Sequence, residues 1–541
     1  MPASLASVVK FTIQAKDIAS MDWMSKSDPM CVLYEQDAQG EWVERSRTEG
    51  IKNNHAPTFV TKIEMEYHFE HKQRIRFDIV DVDDPKNAAD LRSAQLIGGV
   101  ETTVAKVVGS KFGRFEAELE NRIKGEGRKY GTIIVTAETQ KGRKGDKVRM
   151  VMEGIGLAAK DGMFGKSDPY FVFKRLRKGT EEVAFEYKSE HIAQNLNPVW
   201  EPAYMCFSEM CNGDLDEKIK LEVWDYDAAS SPDMIGWMDV SLNQLLTKEP
   251  LKLNDRPGGR TADPGSIKAK EIQVHRTPNF LDYIMEGCDL TISVAVDFTA
   301  SNKNIDDPVS LHHLSDAQQN QYQLAMASIG AVILDYDHDK KVGAMGFGAI
   351  VPGAEEASHC FPLKLDLGPG EYNVDGLQGL MDAYRDSISK AKLYGPTNFQ
   401  NVIDQQALMA KECQKSAYHI LMILTDGDIT DKQETIAAIV RASKVPMSII
   451  IIGVGEEDFE EMDILDSDKG MLEDESGNKA VRDIVQFVPF KQHPSADELE
   501  SNLLRELPGQ LLGYMWANKR TPGSWKDTVF SLPEGEWFKA Q

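Results

Sequence analysis

An internal repeat in the first half of the chain constrains its fold more than any other feature. The stretch Ser25–Pro29 (SKSDP) recurs as Gly165–Pro169 (GKSDP), and Asp78–Asp83 (DIVDVD) is echoed by Glu222–Asp227 (EVWDYD). An Ile-Gly pair follows the second stretch in both places. Because the two sets keep their order at an offset of about 140 residues, the repeat predicts two copies of one domain.

Each copy is rich in short strand patterns, in which apolar and polar residues alternate between clusters of turn residues. No strong helical period interrupts these runs, so each copy is predicted to be an all-β antiparallel sandwich. The clearest runs are Val8–Ile13, Ile75–Val80 and Thr132–Ala137 in the first copy, and Lys147–Met152, Tyr170–Phe173, Glu182–Tyr187 and Lys218–Trp224 in the second.

From about Asn279 the pattern changes to buried-type strands that alternate with amphipathic helices. This alternation predicts a doubly wound, Rossmann-like α/β domain with a mostly parallel sheet. The predicted strands are Leu290–Val296, Val342–Ile350, Ile420–Leu424 and Met447–Val454, and the predicted helices are Tyr322–Leu334, Gly376–Ala391, Phe399–Lys411, Lys432–Ala442 and Asp497–Leu507. The last of these helices is expected to stop or kink at Pro508.

These patterns divide the chain into a first β domain at 1–140, a second at 141–277, an α/β domain at 278–520 and a tail at 521–541. The formal net charge of −25 argues against nucleic acid as a partner, because phosphate binding requires clustered Lys and Arg. The six cysteines form no C-x-x-C pair, and neither a secretory signal nor a long apolar run occurs. We therefore expect a cytoplasmic protein whose contact with membranes is peripheral.

Aspartates cluster in two loops of each copy, and we predict that they bind Ca²⁺. Convergent carboxylates repel one another unless a hard cation lies between them, and Ca²⁺ accepts six to eight oxygen ligands in a flexible shell. The alternative is that these aspartates only cap the backbone of turns. The candidate ligands are Asp22, Asp28, Asp81, Asp83 and Asp90 in the first copy, and Asp161, Asp168, Asp225, Asp227 and Asp233 in the second.

Apolar side chains beside these loops are candidates for insertion into a membrane. Exposed Trp is stable at the bilayer interface, although the same residues could instead pack beneath the loops as core. A basic run at the end of a second-copy strand is a candidate contact for anionic lipid head groups, or simply a solvated hairpin. The apolar candidates are Met21, Trp23, Met24, Met163 and Phe164, and the basic candidates are Lys174, Arg175, Arg177 and Lys178.

The α/β domain carries a second kind of candidate metal site. Its first strand ends in a D-x-[ST]-x-S sequence, at the edge where open α/β sheets bind ligands. Two carboxylates and three hydroxyls form an oxygen-only set that favours Mg²⁺ or Mn²⁺ and leaves coordination positions open. The hydroxyls could alternatively cap the following helix. The set consists of Asp297, Thr299, Ser301, Thr397 and Asp426.

The repeated loops, with Asn197–Trp200 (NPVW), resemble C2 domains, which are calcium-dependent lipid-binding sandwiches. The interval between Asp161 and Asp168 is one residue longer than usual, and the loop between Asp83 and Ile97 is stretched. The α/β domain is similar to the von Willebrand factor A domain with its metal-ion-dependent adhesion site, with Thr299 in place of the commoner Ser.

Two C2 copies followed by an A-type domain resemble the copines, and Asp297–Asn302 (DFTASN), Tyr394–Phe399 (YGPTNF) and Asp483–Phe490 (DIVQFVPF) look like that family's A domain. The resemblance implies calcium-dependent binding to anionic phospholipid membranes, with translocation to the plasma or internal membranes. It also implies that the A domain recruits intracellular partner proteins.

The sequence leaves two other classes of function to consider, an enzyme and a structural scaffold. An enzyme is not expected, because no nucleophile elbow, zinc-protease or kinase motif is present, and Gly154–Ala159 (GIGLAA) leads into a loop rather than the helix that a dinucleotide site requires. A hydrolase at Asp297 and Asp426 stays open, but no His or Glu lies within those motifs to act as a base. A structural scaffold whose calcium loops bind no metal is the third possibility.

Overall fold

A computed structural model describes most of the chain. The chain folds into two compact units. Among the described residues, one unit holds 7–139 together with 279–520, and the other holds 146–278 together with 521–523 and 528–530. The described ranges are 7–21, 26–82, 94–123, 128–139, 146–160, 165–177, 180, 182–227, 231–255, 263–315, 317–368, 370–413, 417–427, 429–457, 459–466, 470–492, 496–523 and 528–530.

The first domain is an antiparallel sandwich of two four-stranded sheets, in the orders β4-β1-β8-β7 and β3-β2-β5-β6. Alternation places the core: in β4 the residues of IEMEY are alternately buried and exposed. The elements are β1 (Ser7–Lys16), β2 (Pro29–Gln36), β3 (Trp42–Arg47), β4 (Ile63–Tyr67), β5 (Arg74–Asp81), β6 (Gln95–Thr103), α1 (Val104–Val108), a 3₁₀ turn (Lys111–Gly113), β7 (Arg114–Glu118) and β8 (Thr132–Thr139).

The second domain repeats this architecture, with sheets in the orders β11-β10-β13-β14 and β12-β9-β16-β15. Its core lies between the sheets around Trp200 and Phe171, whose rings meet edge to face. The elements are β9 (Lys147–Ile155), β10 (Pro169–Leu176), β11 (Val183–Lys188), β12 (Ala203–Cys206), α2 (Phe207–Cys211), β13 (Ile219–Asp225), β14 (Asp233–Val240), α3 (Leu242–Leu246), β15 (Leu251–Lys252) and β16 (Ser266–Arg276).

The third domain is a doubly wound α/β fold whose main sheet has the order β20-β18-β17-β23-β24-β25. The strands β17, β18, β23, β24 and β25 are parallel, while β20 and a further strand, β21, pair antiparallel with β18. Every residue of β24 (MSIIIIG) is buried, as expected for a central parallel strand that is covered on both faces.

The elements of this domain begin with α4 (Phe280–Met285), β17 (Asp289–Asp297), α5 (Gln321–Ile333), β18 (Lys341–Phe347), β19 (Ala349–Ile350), β20 (Phe361–Pro362), β21 (Asn373–Asp375), α6 (Gly376–Lys390) and β22 (Lys392–Leu393). They continue with α7 (Gln400–Glu412), β23 (Ala417–Thr425), α8 (Lys432–Ala442), β24 (Met447–Gly453), α9 (Glu460–Leu465), β25 (Val485–Pro489), α10 (Ala496–Leu504) and α11 (Leu507–Ala517). Short 3₁₀ turns lie at Ala300–Asn302, Leu334–Tyr336 and Phe490–Gln492.

Three details differ from the sequence-based expectations. The predicted strand Val342–Ile350 is divided into β18 and β19 at Gly348, whose φ of +79° turns the backbone. The chain does break before Pro508, but it resumes at once as α11, because proline is tolerated in the first turn of a helix. Within the predicted tail, Thr528–Phe530 forms a strand, β26, parallel to β16. In the described part of the chain, no helix has the length and apolarity needed to cross a membrane.

Candidate metal and membrane-docking sites

The two acidic-loop regions share the same hydrogen-bond geometry. The Asp28 amide donates to Oδ1 of Asp81 over 2.6 Å, and the Asp168 amide donates to Oδ1 of Asp225 over the same distance. Each pair joins the loop before one strand to the end of its neighbour, since β2 pairs with β5 and β10 pairs with β13. The fold therefore brings a carboxylate from each loop to the same end of each sandwich.

A buried serine fixes the first loop of each copy. Ser27 and Ser167 have no exposed surface, and their hydroxyls donate to the carbonyls of Ala19 and Ala158, over 3.3 and 3.0 Å respectively. Each hydroxyl also accepts a backbone N–H from its own loop, over 3.0 and 2.9 Å respectively. This shared contact explains why both copies carry a serine directly before the aspartate: the serine closes the loop that positions Asp28 or Asp168.

In the second copy, a buried carboxylate oxygen of the acidic loops is left without a partner among the described residues. Asp225 is 1% exposed, and its Oδ2 has no hydrogen-bond partner among the described residues. The half-buried Asp227 follows it, and the exposed Asp233 lies directly opposite Asp225 in the β13–β14 ladder. Like charges opposite each other in a ladder destabilise it, and a buried carboxylate oxygen without a partner is costly. A bound Ca²⁺ would relieve both penalties.

Several predicted residues lie outside the described ranges. These are the calcium candidates Asp22, Asp83, Asp90 and Asp161, and the apolar candidates Trp23, Met24, Met163 and Phe164. Met21 is described and half-buried. Within the described residues no group of three or more acidic, histidine or cysteine side chains is arranged to hold a metal ion. Each predicted calcium set is thus represented by only some of its members.

The described residues of the basic run are engaged with groups of their own domain. The Lys174 ammonium lies 2.9 Å from the buried carboxylate of Glu222. Arg175 donates to a backbone carbonyl of α2, and Arg177 lies 3.2 Å from a glutamate carboxylate on the neighbouring strand connection. Lys178 lies outside the described residues. A lipid head group would have to compete with these acceptors, so this run is a weaker candidate than the acidic loops.

In the α/β domain, four of the five predicted metal ligands lie in a row, each within hydrogen-bonding distance of the next. The Thr299 hydroxyl donates to Oδ1 of Asp297 over 2.6 Å and lies 2.8 Å from the Ser301 hydroxyl. Ser301 in turn donates to Oδ1 of Asp426 over 2.9 Å. The strands β17 and β23, which carry the two aspartates, are parallel neighbours, and their carboxyl ends therefore meet at one edge of the sheet.

The two aspartates of this edge are both buried, with exposures of 0% for Asp297 and 3% for Asp426. Burial raises the pKa of Asp297, while burial and the Asp297 charge raise the pKa of Asp426 to about 7. Two buried carboxylates repel each other when both are ionised, and a divalent cation between them would offset that repulsion. The side chains around them offer only oxygen atoms as ligands, which Mg²⁺ and Mn²⁺ prefer. The residues present therefore fit the predicted metal.

The fifth predicted ligand, Thr397, lies on a separate loop that follows the cis peptide bond Gly395–Pro396. No hydrogen bond joins its hydroxyl to the other four ligands among the described residues. Its loop is nevertheless fixed, because the Thr397 carbonyl accepts the N–H of Thr430 over 2.8 Å. The next residue, Asp431, accepts two further N–H groups from the start of α7.

Two residues that form hydrogen bonds with Asp297 were not predicted from the sequence. Thr425, the last residue of β23, donates to Oδ2 of Asp297 over 2.8 Å. His312 lies 2.8 Å from the Asp297 carbonyl through Nε2 and 2.8 Å from the Tyr384 hydroxyl through Nδ1. The carbonyl can only accept, so Nε2 carries the proton, and burial lowers the pKa of His312 to about 3, which keeps the ring neutral. Neither residue lies in the D-x-[ST]-x-S motif, which is why it was not found.

Gly348, which follows β18, permits the chain to approach closely the loop after β17 that carries Thr299. A Cβ atom on Gly348 would lie 2.5 Å from Cγ2 of Thr299, and its φ of +79° is also one that L-residues rarely adopt. The same turn lets the Phe298 amide donate to the Phe347 carbonyl over 2.8 Å. The backbone on both sides of Thr299 is therefore fixed by packing.

Comparison with protein families defines the class of these domains. The C2 domain model matches residues 8–119 and again 148–255, so the chain contains two C2 domains, which typically bind Ca²⁺ and phospholipid membranes. The copine model matches residues 310–523. Two C2 domains followed by a copine domain are the copine architecture, and the chain belongs to the copine family.

Solved structures with similarity to the chain include the second C2 domain of the protein BON1, with 21% identity over 25% of this chain and 94% of that one, at a TM-score of 0.21. The calcium-bound pair of C2 domains from extended synaptotagmin 2 shares 14% identity over 50% of this chain and 98% of that one, at a TM-score of 0.20. Human GIVD cytosolic phospholipase A2 shares 10% identity over 64% of this chain and 45% of that one, also at 0.20.

Proposed function

We propose that this copine docks on anionic phospholipid membranes when Ca²⁺ binds its C2 loops, and that its copine domain recruits intracellular proteins through a Mg²⁺- or Mn²⁺-dependent site. The observation that supports the first part is the buried carboxylate oxygen of Asp225, which has no hydrogen-bond partner among the described residues and lies beside a second aspartate across the ladder. The proposed action is binding rather than catalysis, and the protein is cytoplasmic until calcium moves it to the plasma or internal membranes.

The proposed docking follows from the charge of the loops. Without Ca²⁺, the clustered carboxylates repel a phosphatidylserine surface, and bound Ca²⁺ would cancel that charge and add positions for lipid oxygens. The residues of this chain would act as ligands and as anchors. The loops are held in place by the hydrogen bonds of Asp28, Asp81, Asp168 and Asp225. The apolar candidates beside the loops would enter the interface between the bilayer and water.

The proposed recruitment rests on the hydrogen-bonded edge of the copine domain. Asp297 and Asp426 would provide the charge, and Thr299, Ser301 and Thr397 would provide hydroxyl ligands. A divalent ion held there supplies a Lewis-acidic position that a carboxylate of a partner protein can fill. His312 and Thr425 keep Asp297 oriented toward this position.

Two measurements test the two halves separately. Vesicles that contain phosphatidylserine should pellet the full chain in Ca²⁺ and release it after a chelator is added, and equal pelleting in both conditions would contradict the docking half. Calorimetry should detect Mg²⁺ binding that is lost in the variant Asp297→Ala with Asp426→Ala. Unchanged Mg²⁺ binding in that variant would contradict the assignment of the copine-domain site.

A further inference from the structure

The first C2 domain and the copine domain bury aromatic side chains against each other within one compact unit. Tyr67 and Phe69 come from the first C2 domain, and Phe280 and Tyr336 come from the copine domain, and none of the four is more than 5% exposed. The Phe69 ring lies 4.6 Å from the Phe280 ring and 5.3 Å from the Tyr336 ring. The hydroxyls of Tyr67 and Tyr336 are hydrogen-bonded to each other.

Two polar contacts flank this aromatic cluster and join the two domains. The Thr103 hydroxyl donates to Oδ2 of Asp335 over 2.6 Å and also accepts the Lys106 N–H as the N-cap of α1. The Thr139 hydroxyl donates to Oδ1 of Asp282 over 3.1 Å. Buried polar groups that are satisfied across an interface, rather than within one domain, indicate that the interface is part of the folded state.

A glycine at this interface reports how closely the domains approach. A Cβ atom on Gly109 would lie 2.6 Å from the Asp335 carbonyl oxygen and 3.1 Å from Cα of Tyr336 in the copine domain, and 3.0 Å from the Ala105 carbonyl oxygen of its own domain. The φ of Gly109 is −74°, which any residue can adopt, so the backbone of the first C2 domain does not itself require glycine there. The tightest of the three contacts, and so the strictest reason for the absence of a side chain, comes from the copine domain.

We propose that the first C2 domain and the copine domain are permanently docked through this surface, which we call the docking surface: Tyr67, Phe69, Thr103 and Gly109 against Phe280, Asp335 and Tyr336. The chain joins these two domains only by way of the second C2 domain, so the docking is noncovalent. It needs neither Ca²⁺ nor Mg²⁺ and does not depend on the proposed function. The sheet edge of the copine domain that carries Asp297 and Asp426 is called the metal edge. The consequence of the docking is that this metal edge keeps one orientation relative to the acidic loops of the first C2 domain.

The test cuts the only covalent path and asks whether the domains stay together. A protease recognition sequence is inserted between residues 142 and 143 of the full chain, the folded protein is cleaved in EDTA without lipid, and the products are separated by size-exclusion chromatography. The fragment 1–142 is expected to elute together with the fragment 143–541 at micromolar concentration. Separate elution of the wild-type fragments would overturn the proposal.

A matched pair of variants tests whether the docking surface is responsible. Gly109→Ala adds one methyl group at this close contact and should weaken the association of the cleaved fragments by about tenfold or more, because overpacking of a filled contact is destabilising. Gly513→Ala makes the same change where a Cβ atom meets open space, and its fragments should elute together as in the wild type.

A second variant covers the possibility that the methyl group is accommodated. Asp335→Lys removes the acceptor of the Thr103 hydroxyl at a half-buried position, and its fragments are also expected to separate. Circular dichroism of each uncleaved variant verifies that the domains are folded. If the fragments of both Gly109→Ala and Asp335→Lys elute together like those of the wild type, the domains are not held by this surface and the proposal is wrong.

Discussion

Removal of the charge of Asp426 should stabilise the metal-free protein even though it destroys the proposed metal site. Burial and the neighbouring Asp297 raise the pKa of Asp426 from 3.8 to about 7. Since one pKa unit corresponds to about 1.4 kcal/mol, keeping this carboxyl ionised in the fold at pH 8 costs up to about 4 kcal/mol. Asp426→Asn keeps an oxygen that can accept from Ser301, and we expect it to recover about 2–4 kcal/mol.

The pH dependence has a definite sign. Between about pH 4 and pH 7 the folded protein holds a proton at Asp426 that the unfolded chain has lost, so the stability of the metal-free wild type falls as the pH rises through this window. Asp426→Asn should reduce that fall, and the part that remains comes from Asp297, whose pKa burial raises as well. Added Mg²⁺ should raise the melting temperature of the wild type at pH 8 and leave that of the variant unchanged, because only the wild type keeps both carboxylates.

The assay is scanning calorimetry of the full chain in EDTA and in Mg²⁺, at pH 5 and pH 8. The transition of the copine domain is the one that Mg²⁺ shifts in the wild type, and in EDTA at pH 8 it should occur about 5–10 °C higher in Asp426→Asn. Asp366→Asn is the matched control, since it removes a charge from an exposed position. An Asp426→Asn variant that is less stable than the wild type in EDTA at pH 8 would refute the reasoning.

Two further predictions concern the C2 loops and the support of the metal edge. Asp225→Asn with Asp227→Asn should weaken calcium-dependent vesicle binding more than Asp81→Asn with Asp83→Asn, because the later loop of the second copy keeps the regular C2 spacing; a stronger effect of the first-copy pair would contradict this. His312→Ala removes the ring N–H that donates to the Asp297 carbonyl and the ring nitrogen that accepts from the buried Tyr384 hydroxyl, so it should lower the free energy of unfolding by about 2–4 kcal/mol and weaken Mg²⁺ binding, both measurable by calorimetry. Unchanged stability and Mg²⁺ affinity would contradict the positioning role of His312.

The sequence was most informative where the fold is built from local patterns. The alternation of apolar and polar residues predicted the sandwiches, and the continuous apolar runs around Ile420–Leu424 and Met447–Val454 predicted central parallel strands. The motif at Asp297 was predictable because adjacent residues after one strand end must share an edge of the sheet. The pairing with Asp426 was predictable because the carboxyl ends of parallel strands meet.

Contacts between residues far apart in the chain could not be predicted in this way. Tyr67 and Tyr336 are separated by 269 positions, and an apolar pattern indicates that a side chain is buried without indicating what covers it. The basic run was predicted from composition alone, and only the structure shows that Lys174 is engaged by Glu222. Nor does the pattern of the last residues indicate that Thr528–Phe530 pairs with β16.

The most direct test of the account is a calcium titration of vesicle binding by the full chain, with vesicles that contain phosphatidylserine. The wild type is compared with a calcium-loop variant, Asp168→Asn with Asp225→Asn, and with a metal-edge variant, Asp297→Ala with Asp426→Ala. The account predicts that the wild type and the metal-edge variant bind at the same Ca²⁺ concentration, and that the calcium-loop variant needs more Ca²⁺ or fails to bind. Binding of the wild type that is independent of Ca²⁺, or a calcium-loop variant that binds like the wild type, would contradict it.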